Sequence, residues 1–126
     1  MNKKVFLVED DSAISDIYKA IMEKSDLDVE VFSMGQDIIK AVKLIGKDGG
    51  NTPDIILLDL ILPDMNGLDI LKEIKTNESS KDIKVFILTN QSDVDFGEIV
   101  VRPDKIVTKA NITPTQLVDV IKEELK

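Results

Sequence analysis

The sequence predicts an α/β fold: a doubly wound sheet of five parallel strands with helices on both faces. Three observations predict it. Short β-branched or Leu-rich runs alternate with amphipathic stretches along the chain. The most apolar runs, around Phe6, Ile56 and Phe86, lack the two-residue alternation of a sheet with one wet face. Each helical stretch is apolar on one side only, so it must lie against something apolar.

The first strand is KVFLVE, and Ser12 to Lys24 follows as a helix because Ile14, Ile17, Tyr18 and Ile21 recur at helical spacing. After the strand LDVEVF, the spacing of Ile38, Val42 and Ile45 predicts a helix from Gln36 to Lys47. The third strand, DIILLD, leads to a helix from Gly67 to Lys75 whose inner face is Leu68, Leu71 and Ile74. IKVFIL and KIVTK are the fourth and fifth strands. Between them NQSDVDFGEIVVRPDK is poor helix material: Val94, Ile99, Val100 and Val101 are β-branched, and Gly97 and Pro103 limit any helix to a few turns. A short or irregular fourth helix is predicted there. The last helix, Pro114 to Leu125, buries Leu117, Ile121 and Leu125 and starts at TPTQ, with Thr113 as cap, Pro114 in the first position and Gln116 completing a capping box.

A chain of 126 residues with 43% hydrophobic and 32% charged side chains has the size of one domain with a real core. Residues 1–126 are read as that domain, with no linker, repeat or low-complexity segment. The net charge of −8 argues against direct binding to nucleic acid or an anionic membrane. With no Cys and no His, disulfides, thiolate or imidazole metal sites and Ser-His triads are excluded. The start MNKKVFLVEDD is neither a signal peptide nor a spanning helix, which makes a cytoplasmic location the default.

One residue interrupts the third strand's apolar run. Burying the ionised Asp59 without partners costs several kcal/mol, in rough terms, so the strand must end there at water, a metal or a cation. Ligands of a doubly wound sheet bind beyond the carboxyl ends of its strands. Those ends carry Glu9, Asp10 and Asp11, then Asp59, Thr89 and Lys109. Carboxylates held close repel by about 4 kcal/mol per pair at ~4 Å and an effective dielectric of 20. Lys109 offsets part of this, and an all-oxygen cluster suits magnesium, with manganese as the alternative ion. A carboxylate beside such a cation can also act as a nucleophile toward phosphorus. Taken singly the residues have plainer readings. Asp10 and Asp11 suit a helix N-terminus, Thr89 is a β-former, and Lys109 is a solvated charge. Asp59 has no propensity in its favour, and the convergence of all of them at strand ends points to a site.

With FLVEDD, PDIILLDLILPDMNG, VFILTN and IVTK in place, the whole sequence resembles the receiver domain of bacterial two-component response regulators, a single-domain CheY-like module of flavodoxin-like (βα)5 fold. PDIILLDLILPDMNG is the most specific of these, since it sets Pro63 and Gly67 at the family's offsets from Asp59. The resemblance implies a phosphorylation-dependent signalling domain rather than an enzyme with a separate substrate. Asp59 would accept a phosphoryl group from a histidine kinase, a phosphotransfer protein or a small phosphodonor. Magnesium would be held by Asp10, Asp59 and the backbone carbonyl of Ile61, with Glu9 acting through water. Thr89 would bond the phosphoryl group and Lys109 would pair with it. Modification would then bias a surface around the fourth helix, fifth strand and fifth helix toward a downstream protein.

Three departures from the family pattern matter. Ala110 stands where a proline, commonly cis, follows the lysine, and a cis bond before a non-proline costs about 2.5–4 kcal/mol, so a trans bond and a reshaped loop are expected. Ile106 replaces a common aromatic, which leaves switching to the Thr89 loop. The weak fourth helix is the third. Asn90, where the family commonly has a small residue, and the apolar Ile61 are expected to alter access of the hydrolytic water, and slow self-dephosphorylation is the hypothesis; a lifetime of seconds contradicts it. The competing reading is a pseudo-receiver that binds proteins without phosphate chemistry. A magnesium-dependent phosphatase ranks lower, because Ile61 stands where a second Asp is needed and there is no room for a cap. The end at Lys126, just after the last helix, suits a domain acting alone or a piece of a longer chain.

Overall fold

The computed structural model describes residues 2–47, 51–90 and 101–126. The described elements are β1 (Lys3–Val8), α1 (Ser12–Lys24), β2 (Leu27–Phe32), α2 (Gly35–Lys43), β3 (Ile55–Asp59), α3 (Gly67–Thr76), β4 (Lys84–Thr89), β5 (Lys105–Thr108) and α4 (Pro114–Glu124), with a short 3-10 turn at Lys109–Asn111. The five strands are all parallel in the order β2-β1-β3-β4-β5. The predicted doubly wound α/β sheet is therefore present, with four α-helices among the described residues. Residues 91–100, where most of the predicted fourth helix falls, lie outside the described residues.

Strand alternation splits the core in two. Phe6, Val8, Ile56, Leu58, Val85 and Ile87 face α2 and α3, while Val5, Leu7, Ile55, Leu57, Phe86 and Leu88 face α1 and α4. Along their central residues both sides of β1, β3 and β4 are dry, so these strands need consecutive apolar residues there. At the edge, β2 alternates instead: Leu27 and Val29 are buried while Asp28 is exposed.

Two helix predictions need correction. The inner face of α1 is Ser15, Tyr18 and Met22, with Ile14 and Ile21 partly buried, and Ile17 is 55% exposed. Apolar spacing alone placed Ile17 inward, but the stripe that meets the sheet is centred on Tyr18. Helix α2 ends at Lys43 rather than Lys47, because Gly46 takes φ +83° and turns the chain so that Ile45 is buried from outside the helix. At α4 the capping box forms as predicted: the Gln116 N–H donates to Thr113 Oγ1 at 3.1 Å, and the Thr113 N–H donates to Gln116 Oε1 at 2.9 Å. No described helix is long and apolar enough to cross a membrane.

Candidate functional site

The order β2-β1-β3 places the winding reversal between β1 and β3, and a crevice opens there beyond their carboxyl ends. Glu9 is the first residue past β1. Its N–H donates to the Phe32 carbonyl at 2.9 Å, which holds its backbone in line with the sheet, and the residue is 3% exposed. Asp59 is the last residue of β3, level with Leu88 of β4. Thr89 ends β4 opposite Thr108 and is buried, and Lys109 follows β5 directly.

Two adjacent acids at the end of β1 do different work. Asp11 is the N-cap of α1, its Oδ1 accepting from the N–H groups of Ala13 at 3.0 Å and Ile14 at 3.2 Å. Asp10 makes no such cap and joins Glu9 and Asp59, one oxygen of each lying within 4.8 Å of the others. The helix-end reading thus holds for Asp11, and the cluster takes Asp10.

The ammonium of Lys109 bridges two of the three acids. Its Nζ donates to Glu9 Oε1 at 2.6 Å and to Asp59 Oδ2 at 3.2 Å. Burial raises the Glu9 pKa above its ordinary 4.5, and the nearby Asp59 adds to the rise, with Lys109 opposing both. For Lys109 burial pulls downward, but the bond to Glu9 and the charges of both acids outweigh it and hold the ammonium above 10.5. Tyr18 lies behind this pair: burial raises its phenol, with Lys109 opposing and Glu9 assisting. With all four groups ionised the cluster carries two negative charges in excess. An all-oxygen donor set with that excess fits a hard divalent cation.

The loop after β3 is tied back on itself. The Ile61 N–H donates to Asp59 Oδ1 at 3.2 Å, the Gly67 N–H donates to the Leu60 carbonyl at 2.8 Å, and Ile61 and Asn66 form an antiparallel bridge. Gly67 is required there, since a Cβ would strike the carbonyl of Asp59 and the Cα of Leu60. Asn66 caps α3 through the Leu68 N–H at 2.8 Å. Ile61 itself is 66% exposed at the mouth of the crevice.

The peptide bond before Ala110 is trans, like every described peptide bond, and the chain after Lys109 makes the 3-10 turn in place of the proline-shaped loop. Ile106 is 43% exposed. Sequence reasoning missed Tyr18 as a neighbour of the pocket and missed Asp64, which bonds the start of α2. A signal for Asp64 was present: Met34-Gly35 offers α2 no side-chain cap of its own.

The model of the response regulator receiver domain matches residues 5–122. The chain belongs to the response regulator receiver family. Over 89 residues it is 34% identical to the regulatory protein LuxO of Vibrio cholerae, a match covering 71% of this chain and 18% of that protein. The chain thus matches less than a fifth of the length of that curated relative. Among solved structures it resembles the manganese-bound form of the response regulator Rcp1, with TM-score 0.77, 27% identity, and 96% and 92% of the two chains covered. It also resembles the phosphorylated cyanobacterial phytochrome response regulator RcpA, with TM-score 0.80, 28% identity, and 98% and 91% covered. As a receiver domain the chain is a signalling module rather than an enzyme with a separate substrate. Glu9, Asp10 and Asp59 of this chain form an acidic cluster, and the similar Rcp1 is known in a manganese-bound form.

Proposed function

We propose that Asp59 is the phosphoacceptor of this receiver domain. The observation that carries the reading is the Lys109 ammonium seated between Glu9 and Asp59 at the winding reversal, beside the partly exposed Asp59 carboxylate. One carboxylate oxygen of Asp59 attacks the phosphorus of a phosphohistidine in a histidine kinase or phosphotransfer protein, or of a small phosphodonor. The bond from phosphorus to the donor's leaving atom breaks and its electron pair stays on that atom. The donor leaves as a carboxylate from an acyl phosphate or as an imidazole protonated by water from a phosphohistidine, and an acyl phosphate forms on Asp59. Lys109 then transfers its pairing from the carboxylate to the phosphoryl oxygens, and Thr89 at the end of β4 donates its hydroxyl to another.

Asp10, Asp59 and the Ile61 carbonyl would hold magnesium, with Glu9 acting through water. When bound, the ion supplies positive charge against the oxygens of the transferring group. Thr89 and the neighbouring β5 surface pass the modified state to a downstream protein. Ile61 and Asn90 are both exposed, and as the residues that would limit access of hydrolytic water they are expected to make self-dephosphorylation slow. The test is intact mass after incubation with acetyl phosphate and magnesium. A gain of one phosphoryl group in the wild type and none in Asp59→Asn is expected; an unmodified but folded wild type would instead make this a phosphate-independent binding module.

A further inference from the structure

Asp64 lies five residues beyond the phosphoacceptor, yet its bonds go to another element. Its Oδ1 accepts from the Gly35 N–H at 2.7 Å and its Oδ2 from the Gln36 N–H at 2.9 Å. These are orphan donors of the first turn of α2, whose cap residue Met34 provides no side-chain bond. Those two N–H groups hold the carboxyl below its ordinary value of 3.8, so it is ionised at neutral pH and the bonds are charge-assisted. Gly35 completes the contact. A Cβ there would collide with the side chain of Met65, so the loop lies directly on the backbone of α2.

The same loop starts at Asp59, passes Ile61 and returns at Gly67 beneath the Asp59 carbonyl. A segment closed at both ends and pinned at Asp64 has little freedom to displace Ile61. We propose that Asp64 is a positioning residue: by capping α2 from the loop, it fixes the placement of Asp59 and the Ile61 carbonyl and couples α2 to occupancy of the pocket. The inference rests on reading Glu9, Asp10 and Asp59 as the cation site. Because coupling free energies are reciprocal, a cap that favours cation binding must itself be strengthened by the cation.

The experiment uses magnesium alone. Its affinity is measured by calorimetry in the wild type, in Asp64→Ala, and in Asp64→Ala combined with Met34→Asp, alongside urea unfolding and amide exchange at Gly35 and Gln36. Met34→Asp returns a cap and a negative charge to α2 without tying it to the loop. The expected result is a loss of magnesium affinity of about fivefold or more in Asp64→Ala. The double variant recovers its urea midpoint but not its affinity. In the wild type, magnesium slows exchange at Gly35 and Gln36. Unchanged affinity in Asp64→Ala, or affinity recovered by Met34→Asp, overturns the positioning role and leaves Asp64 a helix cap. Exchange at Gly35 and Gln36 indifferent to magnesium overturns it without reference to any variant. A wild type that does not bind magnesium removes the pocket reading itself, and the coupling with it.

Discussion

The two ends of the sheet each carry a cluster of acids and lysines, and the clusters are built on opposite plans. At the amino end, Asp104 Oδ2 accepts from Lys75 Nζ at 2.9 Å and from the Val85 N–H at 2.8 Å, and Lys84 lies 4.0 Å from Asp104 and 3.6 Å from Glu124. Among the described residues, two acids and two ammoniums meet there. Burial works against the Asp104 carboxylate, but Lys75, Val85 and Lys84 outweigh it and keep its pKa below 3.8. At the carboxyl end, among the described residues, three acids share a cluster with one ammonium that bonds two of them, and the Glu9 pKa rises instead. A cluster whose charges already balance can only hold the fold together. A cluster in deficit has a standing affinity for an incoming cation, and this chain keeps its deficit at the end where ligands of doubly wound sheets bind.

Removing the shared ammonium sharpens that contrast most. Lys109→Met leaves Glu9 and Asp59 without their cation, and a loss of about 3 kcal/mol in urea unfolding at neutral pH is expected. Lys84→Met at the other end removes two ion pairs in which the lysine side chain is 44% exposed, and costs under about 1 kcal/mol. Next in size is magnesium itself. At a hundred times its dissociation constant it stabilises the fold by about 2.7 kcal/mol, read as a rise in melting temperature. Asp10→Ala removes that rise, whereas Asp104→Asn leaves it intact. The smallest effect is in acid. Because the Asp104 pKa is lowered in the fold, its contribution is present above 3.8 and lost as pH falls through the folded value. Asp104→Asn flattens this part of the acid limb by about 1 kcal/mol or less, as measured by unfolding at stepped pH.

Much of this was legible in the sequence, because strand ends in a parallel sheet are marked by where apolar runs stop. Glu9, Asp59, Thr89 and Lys109 could be placed together from that rule alone. Division of labour between Asp10 and Asp11 was not legible, since both suit a helix start and only the capping geometry separates them. Ile17 shows a second limit: one turn of apolar spacing is compatible with two neighbouring stripes, and the sheet selects between them. The Asp64 bonds join residues 28 and 29 positions apart, a separation at which no local propensity acts.

The outer strand β2 has its own consequence. It is six residues long, lies at the sheet's border and has β1 as its one lateral neighbour among the described strands. Such a border offers unpaired backbone groups to any strand that passes, including its own copy. Two copies meeting there would bring Asp28 and Glu30 of each toward those of the other, in a chain that already carries eight surplus negative charges. Like charges facing across a new strand pair disfavour it. In a concentrated solution the strand whose end gives no side chain to the acidic pocket thus serves as the guard against aggregation.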